Sequence, residues 1–166
     1  AFPPLWREAL DDLVLAYDST CAYWCLRIHQ GTGNPTVDHF APKSRHWDKV
    51  YEWSNYRLAC QTVNGFKREF SDVLDPFLVQ DGLFALDLVS LKVVPGPTSS
   101  TQLAEVKAAI ARLRLDSPEY SSALEERYQP YHSGEITFAH LRKYAPFLAK
   151  EIDRQGKRLH GDGSTA

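Results

Sequence analysis

Apolar residues near the start of the chain predict a helix. They recur at intervals of four, three and four residues, at Trp6, Leu10, Leu13 and Tyr17. Pro4 suits the first turn of such a helix, and polar residues from Ser19 onward are expected to end it.

The pattern then changes to short strands. A turn-rich stretch at 31–35 leads into residues 36–40, which have the β-branched and aromatic composition of a strand, and Pro42 ends it. After a charged loop, residues 55–60 predict a returning strand and residues 61–70 a short helix. The predicted order is strand, loop, strand, helix.

The second half of the chain predicts a further hairpin and helices. Residues 83–94 indicate one or two strands. One helix is expected around residues 103–113, with its N-cap at 99–101, and a second from about Thr137, kinked or split by Pro146. Residues 161–166 predict a frayed tail. The sequence thus predicts a single α+β domain over residues 1–166.

Composition limits the class of protein. The chain has 166 residues, of which 43% are hydrophobic, enough to fill the core of one domain. Its apolar runs are far shorter than the about 18 residues that span a bilayer, so we expect a soluble protein without a membrane segment. The start of the chain has no pattern of an export signal, which predicts a cytoplasmic protein. The net charge of -2 excludes a protein that binds nucleic acid non-specifically through an overall positive charge.

A few residues in the first half have the chemistry of a hydrolytic site. They are Asp38, His39, Asn55 and Asn64. Each also has an ordinary structural interpretation: a turn residue, a satisfied core histidine, a helix cap and an Asn-Gly hairpin turn. Phosphodiester hydrolysis needs a base, which a histidine supplies near neutral pH, and a hard cation, which carboxylate and amide oxygens bind. The hairpin is expected to fold the two ends together.

These residues, in this order, resemble the HNH endonucleases, which have the ββα-metal fold. The matching segments are residues 37–44, 53–60 and 64–67, within a motif core at about 20–77. His39 and Asn55 are sixteen residues apart, and Asn55 and Asn64 are nine apart. The resemblance implies an HNH core with an added N-terminal helix, an extra β-hairpin and a helical part at about 99–157.

The resemblance also implies roles for single residues. His39 would be the general base, and Asn55 would tie the hairpin loop and orient that base. Asp38 and Asn64 would bind one Mg²⁺ or Mn²⁺ ion, and Asn64 makes this an H-N-N variant. Lys67 would contact a phosphate of the substrate.

The local charge agrees with a nucleic-acid substrate. Between residues 36 and 68 there are six Lys and Arg against three Asp and Glu. Lys43, Arg57 and Lys67 are the predicted nucleic-acid contacts, although such charges also serve simply to solvate a loop. Trp47, Trp53 and Tyr56 are candidates for stacking on bases or for the core, and for Trp53 the core is favoured.

The three cysteines do not complete a zinc pattern. Many HNH proteins hold a structural zinc ion with two Cys-x-x-Cys pairs, whereas Cys21 and Cys25 here have three residues between them and Val63 occupies the position of the fourth cysteine. A set of Cys21, Cys25, His29 and Cys60 is conceivable. We favour packing of these thiols as small apolar groups, without structural zinc.

The sequence therefore predicts a metal-dependent HNH endonuclease that cleaves DNA. The alternative is a catalytically inactive nucleic-acid-binding module of HNH type, and a third is a structural protein whose asparagines are caps and turns. Through the resemblance we also expect a role in bacterial restriction or anti-phage defence, beside an ATPase or another defence-system partner protein.

Overall fold

A computed structural model describes residues 2–159 of the chain, so the predicted tail at 161–166 lies outside the described residues. A 3-10 turn at Leu5–Ala9 runs directly into helix α1, Leu10–Ala16. This confirms the predicted N-terminal helix. Leu13, at the centre of the apolar pattern, is buried.

A β-hairpin and a short helix form the centre of the first half. Strand β1, Pro35–His39, pairs antiparallel with β2, Tyr56–Cys60, and helix α2, Gln61–Lys67, follows β2 without a loop. The predicted order of elements is confirmed. Helix α2 ends three residues earlier than predicted, because Arg68 adopts a left-handed backbone with φ of 49°.

The two faces of the β1–β2 hairpin meet different parts of the molecule. Successive side chains of a strand point to opposite faces. Val37 and Leu58, a cross-strand pair, pack with α1, and so does Tyr56, the partner of His39. We call this side the α1 face. The alternate residues face helix α2 and define the α2 face; they are Thr36, Asp38, Arg57 and Ala59.

A second hairpin and four helices complete the described chain. Strands β3, Phe84–Asp87, and β4, Lys92–Pro95, pair antiparallel. The helices are α3, Leu103–Leu113; α4, Pro118–His132; α5, Phe138–Tyr144; and α6, Pro146–Arg154. Pro146 splits the last predicted helix into α5 and α6, which is the second of the two predicted outcomes, a kink or a split. The predicted N-cap at 99–101 is wrong, because these residues form a 3-10 turn, Ser99–Gln102, that leads into α3.

The largest hydrophobic core joins the hairpin region to the C-terminal helices. It includes Trp24, which donates a hydrogen bond from its indole Nε1 to the carbonyl of Leu113 at 3.2 Å. The Tyr120 hydroxyl of α4 donates to the Trp24 carbonyl at 2.8 Å. The segment before β1 is thus held by α3 and α4. Across residues 2–159 we find no helix with the length and apolar character needed to cross a bilayer.

Candidate functional site

Asn55 ties down the loop that joins β1 to β2. Its side-chain Oδ1 accepts a hydrogen bond from the Ala41 N–H at 2.7 Å, and its Nδ2 donates to the carbonyls of Ala41 and Lys49, both at 3.1 Å. The residue is buried, so these three bonds satisfy a side chain that has little access to water. They hold both ends of the loop at the end of β1.

The same loop orients His39. The His39 Nε2 atom lies 3.0 Å from the carbonyl oxygen of Val50, the residue after Lys49, and the Tyr56 hydroxyl donates to that carbonyl at 2.9 Å. Since a carbonyl only accepts, the geometry assigns the proton of the neutral ring to Nε2. Nδ1 then carries the lone pair, and it has no hydrogen-bond partner among the described residues.

The surroundings of His39 keep the ring neutral. The rings of Trp6 and Tyr56 meet it edge-on, at centroid distances of 5.1 and 5.3 Å, and the residue is 9% exposed. This burial lowers the pKa of His39 below its usual value. The Val50 carbonyl raises that pKa, and the nearby Lys43 ammonium lowers it further. A neutral imidazole with a free lone pair can accept a proton.

Asp38 is buried on the α2 face and is fully engaged. Lys67 Nζ lies 3.1 Å from its Oδ1 and 3.0 Å from its Oδ2, and the Tyr23 hydroxyl donates to Oδ2. Burial, with the Asp38 carboxylate second, raises the pKa of Tyr23 well above its usual value, so the phenol keeps its proton and donates it. Both carboxylate oxygens therefore have partners within the protein.

Lys67 is the central cation of this cluster and is itself inaccessible to solvent. Besides Asp38, its ammonium contacts the carbonyl oxygens of His39 at 3.2 Å and Phe40 at 3.4 Å. Four oxygen atoms thus surround one positive charge. Lys67 was predicted to contact a phosphate of the substrate, but it instead neutralises Asp38 in the described structure.

Asn64 lies on helix α2 three residues before Lys67. Its Nδ2 donates to the Thr36 hydroxyl at 2.9 Å, which places Asn64 on the α2 face beside the strand that carries Asp38. Asp38 and Asn64 are therefore on one face of the hairpin, and His39 is on the other. The fold brings the two predicted metal ligands to the same side but separates them from the predicted base by the hairpin itself.

A cleft opens beside the loop that follows β1. His39 is the last residue of β1, and beyond it lies an open cleft of about 670 Å³. The residues that line this cleft include Phe40, Lys49, Asn55, Arg57 and Asp75. His39, Asp38 and Asn64 do not line it, so the cleft borders the predicted site without containing the predicted base or metal ligands.

The three predicted nucleic-acid contacts have different surroundings. Lys43 is exposed, with its Nζ 4.3 Å from the centroid of the Trp6 ring. Arg57 is only 3% exposed and donates to Asp75 from its Nε and Nη2 atoms, including a 2.7 Å ion pair. Lys67 is buried. Of the three, Lys43 alone is exposed for contact with a phosphate.

Sequence reasoning missed two partners of the predicted site residues: Tyr23, which binds Asp38, and Asp75, which binds Arg57. Asp75 precedes Pro76 near the end of the predicted motif core, and nothing in its position indicates a partner eighteen residues away. Tyr23 has no local signal, because its bond to Asp38 spans fifteen residues and depends on the packing of the whole chain.

The cysteines pack near one another without forming a recognisable metal centre. The Cys60 N–H donates to the Cys21 sulfur at 3.4 Å, and both residues are buried. Burial raises the pKa of Cys25 to about 12, so its side chain is a protonated thiol. His29 accepts from the Gly31 N–H and lies near Glu126 of α4. Within residues 2–159, no three His, Cys, Asp or Glu side chains are grouped to bind a metal ion.

The chain was also compared with known proteins. Protein-family models, curated proteins and solved structures were all compared with the chain, and none matches it significantly.

Proposed function

We propose that the chain is a metal-dependent endonuclease of HNH type that hydrolyses DNA phosphodiester bonds with His39 as the general base. The motif residues give the resemblance, and the hairpin followed directly by α2 has the order of elements that the ββα-metal core requires. Asp38 and Asn64 are the proposed ligands of one divalent ion.

The observation that carries the proposal is the fixed orientation of His39. Asn55 holds the loop, the loop presents the Val50 carbonyl, and this carbonyl takes the Nε2–H of the ring. A buried histidine that served packing alone would also need an acceptor for its ring N–H, so the feature that favours a base is the second nitrogen, which has no partner among the described residues. Nδ1 is left able to take a proton from water, which is what a general base must do.

The donors near Asp38 match a hard divalent cation in chemical type. The atoms around the Lys67 ammonium are all oxygens, and Asn64, whose Nδ2 donates to Thr36 on the same face, also carries an amide oxygen. Mg²⁺ and Mn²⁺ prefer such ligands. Asp38 and Asn64 would hold the ion, and Lys67 would have to withdraw from the carboxylate for it to bind.

Each residue of the site has a defined task in this proposal. His39 Nδ1 takes the proton of the attacking water, while Nε2–H remains bonded to Val50. Asn55 prevents the loop from moving when the ring becomes charged. A bound divalent ion supplies Lewis-acid stabilisation of charge on the phosphate and the leaving oxygen. Because burial disfavours the imidazolium, His39 readily returns the proton to the leaving group or to solvent.

Plasmid cleavage tests this function directly. Purified protein is incubated with supercoiled plasmid in Mg²⁺, in Mn²⁺ and in excess EDTA, beside His39→Ala and the control His132→Ala, which changes an exposed histidine on α4. We expect nicking or linearisation that requires metal and is lost in His39→Ala only, by a factor of about 10² or more. Equal cleavage by His39→Ala would exclude His39 as the base.

The second candidate is a nucleic-acid-binding module without catalysis, and the buried ion pair favours it. With Lys67 bound to both oxygens of Asp38, the protein already satisfies the carboxylate without a metal. Binding of Mn²⁺ to the intact protein, followed by electron paramagnetic resonance, separates the two. Absence of bound Mn²⁺ in the wild type, with salt-sensitive binding of DNA and no cleavage, would establish the module.

The role in restriction or anti-phage defence, with an ATPase or other partner protein, belongs to this proposal through the resemblance alone. Deleting the locus that encodes the chain tests it, because a defence protein is expected to lower the efficiency of phage infection. Unchanged phage sensitivity in the deletion strain would remove this part of the proposal.

A further inference from the structure

Aromatic rings linked by ring contacts surround His39 on the α1 face, and two of them reach the protein surface. Trp6 and Tyr56 touch His39 edge-on, Trp53 lies 6.2 Å from Tyr56, and Tyr51 lies 6.4 Å from Trp6 between ring centroids. We call Trp6, Tyr51, Tyr56 and Trp53 the aromatic surface. The general base of the proposed nuclease lies at its centre.

Two of these rings are exposed although they border a buried cluster. Trp53 is 52% exposed and Tyr51 is 46% exposed, so the expectation that Trp53 belongs to the core is wrong. Phe2, 6.3 Å from Tyr51 and 45% exposed, extends the apolar area. Trp53 and Tyr51 are linked to His39 through Tyr56 and Trp6, and exposed apolar area rimmed by polar residues is typical of an interaction site.

The charges beside the aromatic surface suit an anionic ligand. Lys43 Nζ lies over the Trp6 ring, 4.3 Å from its centroid, and Arg45 and Lys49 are exposed on the same loop. These three cations outnumber Asp48 and Glu52, the two acidic residues of the loop. Stacking rings flanked by cations are the combination that binds single-stranded nucleic acid.

We propose that the aromatic surface binds unpaired nucleobases, so that the substrate of this chain is single-stranded or locally unpaired nucleic acid. In a duplex each base is covered by its neighbours on both faces, and a protein ring can stack only on a base that has left the helix. Stacking on Trp53 and Tyr51 would hold the backbone beside His39. This step rests on the proposed function for cleavage, but the binding itself does not.

Binding is measured with fluorescein-labelled oligonucleotides of about 20 residues, oligo-dT, oligo-rU and a dT·dA duplex, in EDTA to prevent cleavage. The proteins are the wild type, Trp53→Ala, Trp53→Phe and the control Trp47→Ala. Trp47 is an exposed tryptophan of the same loop that has no ring contact with the aromatic surface among the described residues. Circular dichroism verifies that each variant is folded.

We expect single strands to bind at least ten-fold more tightly than the duplex, and Trp53→Ala to weaken this binding by roughly 5- to 100-fold. Trp53→Phe should retain most of the affinity, and Trp47→Ala should stay within about two-fold. The ratio of dT to rU affinity measures the combined effect of the sugar and the thymine methyl group, the two features in which these strands differ. Tighter binding of the duplex, an equal loss in Trp47→Ala, or no binding of either single strand would overturn the proposal.

Failure of this inference and failure of the proposed function are distinguishable. Binding of single strands that depends on Trp53, without cleavage in Mg²⁺ or Mn²⁺, would keep the inference and remove the nuclease. Cleavage of duplex plasmid that depends on His39 and is unaffected by Trp53→Ala would keep the nuclease and remove the inference.

Discussion

The two faces of the β1–β2 hairpin differ in how they treat polar groups. On the α2 face, Asp38 and Lys67 pair inside the protein and almost every polar atom has a partner. On the α1 face, His39 is packed among rings, with one nitrogen bonded and the other without a partner in the described chain. The polar atoms of the α2 face are paired with one another, whereas the Nδ1 atom of His39 on the α1 face has no partner among the described residues.

This difference predicts which face matters more for stability and which matters more for binding. A buried charge without its partner is costly, so the ion pair on the α2 face makes the hairpin sensitive to change. The aromatic packing on the α1 face tolerates change at its exposed edge, since those rings are half in solvent. We expect stability to depend mainly on the α2 face and binding mainly on the α1 face.

Breaking the ion pair tests the comparison with the largest expected effect. Asp38→Ala leaves the Lys67 ammonium buried with two carbonyl oxygens alone, and we expect a loss of about 3–5 kcal/mol in the free energy of unfolding, measured by urea denaturation. Asp81→Ala is the control, because it breaks the exposed ion pair with Lys150 and should cost about 1 kcal/mol or less. Similar losses in the two variants would contradict the special cost of the buried pair.

Removing the loop anchor affects both faces. Asn55→Ala leaves the Ala41 N–H and two carbonyls without their partner, and we expect a loss of about 2 kcal/mol in unfolding free energy. As the loop loosens and water reaches His39, its pKa should rise toward the ordinary value of about 6.5. A proton NMR titration of the His39 ring measures this. An unchanged titration would show that Asn55 does not control the surroundings of His39.

The pH dependence of stability isolates the α1 face. Because burial lowers the pKa of folded His39 below the unfolded value of about 6.5, the unfolded chain binds more protons in that range. Stability should therefore rise with pH up to about 6.5 and then level off, with a slope of at most about 1.4 kcal/mol per pH unit from this one group. His29 contributes in the same direction, since burial lowers its pKa too.

Comparing wild type with His39→Gln therefore isolates the His39 share. Urea denaturation at several pH values between about 5 and 7 should give a shallower slope for the variant. Identical slopes for the two proteins would mean that His39 titrates in the folded state as it does in the unfolded chain.

The outer aromatic edge should matter least for folding. Trp53→Ala removes a ring that is half in solvent, and we expect a stability change of about 1 kcal/mol or less by urea denaturation. Tyr56→Ala, which removes a buried ring that touches both His39 and Trp53, is the matched comparison and should cost about 3–5 kcal/mol. An equally large loss in Trp53→Ala would make that ring part of the core.

Local patterns predicted most elements because local chemistry determines them. Pro42 and Pro146 end elements through their own backbone restrictions, and the spacing of Leu10 and Leu13 is a property of one helix. Helix α4 was missed although Ser117 and Pro118 supply its cap and first turn. Its buried face relies on tyrosines, whose hydroxyls bond to distant backbone atoms, so the apolar pattern is weak.

The site residues were harder to place because their partners are distant in sequence. The strand period already implied that Asp38 and His39 point to opposite faces, a consequence that the expectation of a shared metal and water site did not take into account. The pairing of Lys67 with Asp38 joins residues 29 apart and depends on where α2 packs. No property of Lys67 by itself distinguishes a buried partner from a phosphate contact.

The bracing of Trp24 by helices α3 and α4 affects how this motif can be moved between proteins. Tyr23, the neighbour of Trp24, supplies the phenol that binds Asp38, so helices far outside the motif position a member of the buried cluster. A chimera that transplanted residues 20–77 into a foreign scaffold would keep the motif letters and lose this support. We therefore expect the β1–β2 hairpin and α2 to be destabilised outside this chain, and engineering of the chain should retain the C-terminal helices.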